Sequence, residues 1–179
     1  MQRLISVDAP GEVPPEYRDS PIGRLFAYHN FGEASGSYDR PELLVGMCMD
    51  HRKRLRIPEN FAYVIRTGGG NLRPFDFKVS FAIAVGGARA IAVIGHSDCG
   101  MSKVAEQRDA FVAGLVDVAG WDEARAEEHY RRSAPTFAID DPIDFTLSEA
   151  KRLRGAYPDI LVAPLHYRVE DHRLYLIRE

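Results

Sequence analysis

Two cysteines and one histidine carry the most specific chemical signal in the chain. Cys48 closes an apolar run, Leu43 to Met47, and His96 closes another, Ala90 to Ile94. Cys99 follows three residues later within Gly95-His96-Ser97-Asp98-Cys99-Gly100. His-x-x-Cys lets two ligands from one turn reach the same metal, and two strand ends can bring Cys48 to them across 48 positions of sequence. Two thiolates and one imidazole suit zinc, and three protein ligands leave the fourth tetrahedral position to water or substrate, as in catalytic zinc sites. The same residues admit plainer readings. The cysteines could be small buried hydrophobes beside a loop histidine. Cys48 and Cys99 could also form a redox pair, although they lack the C-x-x-C spacing that tunes thiol oxidoreductases.

Asp50 and Arg52 follow Cys48 at alternate positions, and extended backbone would put all three on one side. An arginine can grip a carboxylate through two hydrogen bonds and keep it ionised. Such a carboxylate could ligate zinc or accept a hydrogen bond from a hydroxide on it; the alternative is an ordinary surface ion pair. Gly68-Gly69-Gly70-Asn71 could offer backbone N–H groups to an anion, yet it matches neither the dinucleotide fingerprint nor the P-loop and also reads as plain turn glycines. Asp122 to Glu128 reads as a solvated helix face, and Trp121 as a packing residue.

These residues need strands and helices to bring them together. Pro10, Pro14, Pro15 and Pro21 mark residues 8–21 as an extended arm. Ser20-Pro21 looks like a cap and first helical position, with Ile22, Leu25, Phe26 and His29 at helical spacing behind it. Strands are predicted at Leu43–Met47, Phe61–Ile65 and Ala90–Ile94. A helix from Pro74 to about Val85 would put Phe77, Phe81, Ala84 and Val85 on one face, with Gly86-Gly87 closing it. Residues Lys103 to Arg132 read as helical and mostly solvated. Asp141-Pro142 opens another helix through Ile143, Leu147, Ala150 and Leu153, with Gly155 as its stop. Ile160–Tyr167 is a strand whose Pro164 places it near an edge or at a bulge, and Leu174–Ile177 completes a hairpin with it. The alternation predicts an α/β fold: a mostly parallel sheet flanked by helices, with one antiparallel C-terminal edge strand. In such sheets ligands bind beyond the carboxyl ends of the strands, where Cys48 and His96 fall.

Composition narrows the function classes. The chain has 179 residues, 45% of them hydrophobic and 27% charged, which is ordinary globular usage and enough for a substantial core. With 23 basic and 26 acidic residues its formal charge is -3, which argues against a broad nucleic-acid or anionic-membrane footprint. No apolar run has the length of a membrane span, and the first residues lack an apolar core of signal-peptide length. Two cysteines are too few for a secreted disulfide scaffold, so a cytoplasmic setting is expected.

Three ordered motifs make the chain resemble the β-class carbonic anhydrases. Cys48-Met49-Asp50-His51-Arg52 is similar to their C-x-D-x-R motif, and Gly95 to Met101 (GHSDCGM) to their G-H-x-x-C-G motif. Val64-Ile65-Arg66-Thr67-Gly68-Gly69 resembles the V-I-R-N-A-G stretch between them. Met101 resembles the short, archaeal-like subgroup, related to carbonyl sulfide and carbon disulfide hydrolases. The specific match runs from about Leu43 to Met101, and beyond it the terminal hairpin resembles the family's last strands.

The resemblance implies that Cys48, His96 and Cys99 bind zinc and that Asp50 and Arg52 form the catalytic dyad beside it. In some members the aspartate takes the fourth zinc position and closes the site. The implied reaction is reversible hydration of carbon dioxide to bicarbonate by a zinc-bound hydroxide. The implied working unit is a homodimer or higher homo-oligomer with a small-molecule substrate and no nucleic-acid or membrane partner. Residues 1–40 would be an arm and short helix able to pack on the partner chain, and residues 41–179 a single zinc-binding α/β domain. Two positions depart from the pattern: His51 stands where a small residue is usual, and Thr67-Gly68 replaces Asn-Ala. His51 could shuttle protons, crowd the dyad or face solvent. Competing expectations are hydrolysis of carbonyl sulfide or carbon disulfide, a non-catalytic zinc-binding paralogue, and a nucleotide- or phosphate-binding module built on Gly68 to Gly70.

Overall fold

Apolar runs become strands and proline-capped amphipathic segments become helices in a computed structural model that describes residues 3–34 and 36–179. The strands are β1 (Leu4–Ile5), β2 (Leu43–Cys48), β3 (Ala62–Thr67), β4 (Ala90–His96), β5 (Leu161–Arg168) and β6 (Arg173–Ile177). The helices are α1 (Pro15–Arg18), α2 (Pro21–His29), α3 (Asp76–Ala84), α4 (Arg108–Ala119), α5 (Glu123–Phe137) and α6 (Pro142–Ala156). One sheet has the order β1-β6-β5-β4-β2-β3. β2 pairs in parallel with β3 and β4, and β4 with β5; β6 runs antiparallel to β5, and β1 antiparallel to β6. The expected antiparallel C-terminal strand is therefore present, with the two-residue β1 on its outer side.

Alternation divides the central strands between two cores. Leu43, Val45 and Met47 of β2, with Ala90, Ala92 and Ile94 of β4, meet Ile22, Leu25 and Phe26 of α2 on one face. Leu44, Ile91 and Val93 meet Val79 and Ala82 of α3 and Ala150 and Leu153 of α6 on the other. Burying each large apolar side chain contributes roughly 1.5–3 kcal/mol, so both faces hold the central strands firmly. The register then aligns the chemistry. Met47 lies opposite Ile94 and Cys48 opposite Thr67, while β4 continues two residues further to His96.

Helix starts follow the sequence. Ser20 Oγ accepts from the N–H of Ile22, and Asp141 Oδ1 accepts from the N–H groups of Ile143 and Asp144. α6 runs past Gly155 to Ala156, so that glycine is its last turn and not its stop.

Several expectations are corrected. Pro164 sits in β5 between β4 and β6, away from an edge; the β5–β6 ladder begins at Leu165, so the missing N–H costs that ladder nothing. Phe77, Phe81 and Val85 do share a face of α3, and it points to solvent at 80%, 52% and 70% exposure, because the sheet takes Val79 and Ala82 instead. Trp121 is a packing residue as expected, half-buried against His129 with the Arg125 guanidinium over its ring at 3.9 Å. The arm contains β1, a 3-10 turn at Pro10–Glu12 and α1, and its Val7, Val13 and Tyr17 are buried in the chain's own core. Residues 103–132 are interrupted: a 3-10 stretch, Gly100–Glu106, precedes α4, and Gly120 in the left-handed region ends α4 before α5. Among the described residues, no helix is long and apolar enough to cross a membrane.

Candidate metal centre

β2 and β4 end side by side, and the two turns that leave them carry the reactive side chains. Cys48, His96 and Cys99 each bring one ligand atom to within 4.8 Å of the others, and all three residues are buried. The sulfurs lie 4.0 Å apart and both thiols are free. Two sulfurs bound to one zinc at about 2.3 Å would stand roughly 3.8 Å apart, so the pair already has the required spacing. His96 supplies an independent indication. Its Nδ1 lies 2.9 Å from the Ser97 carbonyl oxygen, which can only accept, so Nδ1 carries the hydrogen. The Nε2 lone pair is then bare, fully buried and without a partner among the described residues. A buried acceptor facing two sulfurs is left unsatisfied unless a cation fills the space between them.

The two thiols share their titration. The Cys99 S–H, donating to the Cys48 sulfur, pulls the Cys48 thiol down and pushes the Cys99 thiol up. The surroundings are apolar: Ile139 is buried against the cysteines, with Met101 and Phe145 packed around them.

Beside Cys48, His96 and Cys99, Asp50 and Arg52 form a locked pair. Arg52 Nε donates to both Asp50 oxygens at 3.1 and 3.2 Å, and Nη2 donates to Oδ2 at 2.7 Å. The Arg52 backbone N–H donates to Asp50 Oδ1 at 2.9 Å, so the pair is built on a turn and not on the strand alternation expected. These bonds hold the Asp50 carboxyl well below the usual carboxylate range, and Asp50 in turn raises Arg52. His51 is exposed to solvent. Thr67 is buried at the end of β3, opposite Cys48.

Gly68, Gly69 and Gly70 form a buried 3-10 turn behind the ligands. Gly69 and Gly70 have φ of 63° and 79°, which favours glycine. A Cβ at Gly68 would stand 2.9 Å from Met101 Sδ and 3.0 Å from Phe137, and one at Gly69 3.2 Å from Ile139. The glycines thus let the wall of the centre close.

Sequence reasoning missed four participants. Asp98 was quoted inside a motif without a role, yet its carboxylate and carbonyl both bind Arg52. Lys53 is buried with its ammonium unpartnered among the described residues; burial pushes it down to about 8, against the opposing pull of Cys48, Asp50 and Cys99. Ile139 and Phe137 reach the centre from the end of α5 and the segment after it, too far along the chain for motif spacing to reveal.

Solved structures share this architecture. A β-carbonic anhydrase, isoform I from Trichomonas vaginalis, superposes with a TM-score of 0.65 at 19% identity, covering 87% of this chain and 93% of that one. A carbonic anhydrase from Glaciozyma antarctica gives 0.61 at 21% identity, covering 93% and 97%. The chain has the β-carbonic anhydrase fold. A carbon disulfide hydrolase shares it as well, at a TM-score of 0.59 and 23% identity over 93% of this chain and 92% of that one. No protein-family model and no curated protein matches the chain. Within the β-carbonic anhydrase fold, the turns after β2 and β4 are those that the motifs Cys48–Arg52 and Gly95–Met101 occupy.

Proposed function

We propose that this protein catalyses the zinc-dependent reversible hydration of carbon dioxide to bicarbonate. The observation that carries the reading is the convergence of Cys48, His96 and Cys99 around a bare imidazole nitrogen, beside a carboxylate gripped by Arg52. Cys48, His96 and Cys99 would hold the metal; two thiolates and an imidazole are a donor set that zinc favours. Zinc held there supplies Lewis acidity, which makes a water nucleophilic at neutral pH.

The remaining work belongs to the chain. Asp50, kept ionised by Arg52, can only accept hydrogen bonds. It takes one from the attacking water and orients the oxygen lone pair toward the substrate carbon. Arg52 holds Asp50 in that pose. Met101, Ile139 and Phe145 exclude bulk water and suit a small apolar substrate. His51, exposed one residue from Asp50, is placed to pass the released proton to buffer.

We also infer a homodimer or higher homo-oligomer. β3 is an edge strand, its outer side unpaired among the described residues, with Tyr63 and Val64 exposed, and Phe77 and Phe81 of α3 with Val85 just after it leave an uncovered apolar surface. Residues 41–179 would act as one zinc-binding domain with residues 1–40 folded against it, and two free cysteines fit a reducing, cytoplasmic setting.

Stopped-flow assays on zinc-replete protein test the activity with carbon dioxide, carbonyl sulfide and carbon disulfide in parallel. The reading expects carbon dioxide hydration that rises with pH through one ionisation. Faster turnover of either sulfur compound would reassign the substrate. No turnover of any of the three would make the protein a non-catalytic zinc binder.

A further inference from the structure

We propose that Asp98 is a positioning residue that holds the Arg52 guanidinium along the edge next to the one that grips Asp50 and, through Arg52, fixes Asp50 at the metal centre. The proposal deepens the carbonic anhydrase reading and rests on it. Arg52 has N–H groups to spare after gripping Asp50, and Asp98 takes them. Nη1 donates to Asp98 Oδ2 at 2.9 Å, and Nη2 donates to the Asp98 carbonyl oxygen, also at 2.9 Å. One residue thus offers both side chain and backbone to a single guanidinium. The remaining carboxylate oxygen, Oδ1, lies 3.5 Å from Lys103 Nζ.

The backbone supports the same assignment. Asp98 has φ of 51°, a left-handed conformation uncommon outside glycine but accessible to aspartate. Its position between His96 and Cys99 means that Arg52 ties the turn after β2 to the turn after β4, the two segments that carry the ligands. Stability does not account for the contact: the Asp98 side chain is 60% exposed and that of Arg52 34%, and ion pairs at such exposure add little. What the contact supplies is direction. A guanidinium bound only to Asp50 would swing with it; bound along two edges, it becomes a fixed bracket.

The test uses Asp98→Gly and Asp98→Asn, since both residues tolerate the left-handed backbone and leave the turn intact. Four quantities are measured: zinc content, Tm, kcat with KM, and hydrogen exchange at Arg52 Nε–H by 15N NMR. The NMR signal is assigned by comparison with Arg52→Lys. We expect both variants to keep zinc and Tm. In Asp98→Gly, Arg52 Nε–H exchange should accelerate about tenfold or more, and kcat should fall about 10- to 100-fold with KM little changed, the range for residues that orient a metal site from behind. Asp98→Asn, which keeps a carbonyl acceptor, should lie between wild type and Asp98→Gly. Placed on an Arg52→Ala background, Asp98→Gly should cause no further loss of kcat.

Unchanged Arg52 Nε–H exchange in Asp98→Gly would overturn the proposal. So would a further loss of kcat on the Arg52→Ala background, or loss of zinc from both variants, which would make Asp98 a determinant of the ligand turn itself. Absence of hydration in the zinc-replete wild type defeats the carbonic anhydrase reading and the catalytic half of the proposal. The NMR arm still decides whether Asp98 holds Arg52.

Discussion

At the carboxyl ends of β2 and β4 every strand residue is buried, whereas all twelve residues of α4 keep some contact with solvent and α5 buries only Ala126. The first region holds its side chains through backbone ladders: where Cys48 and His96 sit follows from the pairing of β2 with β3 and β4 and of β4 with β5. The second holds itself through side chains. Arg108 pairs with Glu127, Arg125 lies over Trp121, and Phe111 packs on Tyr130. This helical hairpin, α4 and α5, meets the metal centre at the end of α5, where Asn71 Nδ2 donates to the Thr136 carbonyl oxygen at 2.7 Å and Phe137 touches the glycine turn. A metal centre needs fixed distances, and ladder register supplies them; a solvated hairpin tolerates drift. Substitutions at the sheet end should therefore reach the chemistry, and those on the hairpin should stop at its surface.

The largest effect should come from the ligands. Cys99→Ala should lose most bound zinc on metal analysis while far-UV circular dichroism still shows the fold, since two remaining ligands cannot hold the ion. Full zinc retention would remove Cys99 from the ligand set. Next is the dyad. Asp50→Asn should keep zinc but lose roughly 10²-fold in carbon dioxide hydration, because the amide presents a donor where an acceptor is needed. Wild-type rates in stopped flow would end that assignment.

The third effect lies beneath the sheet end. His29 is buried, its Nδ1 accepts the Arg56 N–H at 3.0 Å, and burial pushes its pKa down to about 4. Its folded-state value lies below its unfolded value, so between about pH 4 and 6.5 the unfolded chain binds more protons. Stability then rises with pH across that window: it is complete above 6.5 and is lost as pH falls toward 4. The His29 share is on the order of 3 kcal/mol and should be missing from the pH dependence of Tm in His29→Gln.

The smallest effects give the comparison its sharpest form. A Cβ at Gly95 would collide with Thr146 Oγ1 and stand 3.0 Å from the Pro142 carbonyl oxygen, so Gly95→Ala should cost about 1–3 kcal/mol in urea denaturation. Val118, 88% exposed on α4, should accept serine within about 0.5 kcal/mol. A costly Val118→Ser would mean that the hairpin is covered by something, a second copy of the chain included.

Legibility in the sequence followed the same division. Cys48, His96 and Cys99 stood out because apolar runs mark the strand ends, and the parallel ladder then leaves little freedom in where those ends meet. The Asp98 bracket was invisible because it depends on a left-handed backbone, which no pattern of residue types announces. Helical spacing grouped Phe77, Phe81 and Val85 correctly on one face; periodicity states which residues share a side but not whether the chain's own core lies there. Pro164 misled for a related reason. The rule that sends proline to edges concerns a donor lost to a ladder, and the β5–β6 ladder starts one residue later. Trp121 and His129 pack on each other within the hairpin, a local contact with no long-range signature.

The central claim is that two strand ends assemble a zinc centre from Cys48, Cys99 and His96. X-ray absorption at the zinc edge of the purified, zinc-loaded protein tests it most directly. Two sulfur neighbours at about 2.3 Å and at least one nitrogen neighbour at about 2.0–2.1 Å are expected, with the sulfur number dropping in Cys99→Ala. A shell of nitrogen and oxygen alone, or sulfur coordination unchanged by Cys99→Ala, would contradict it.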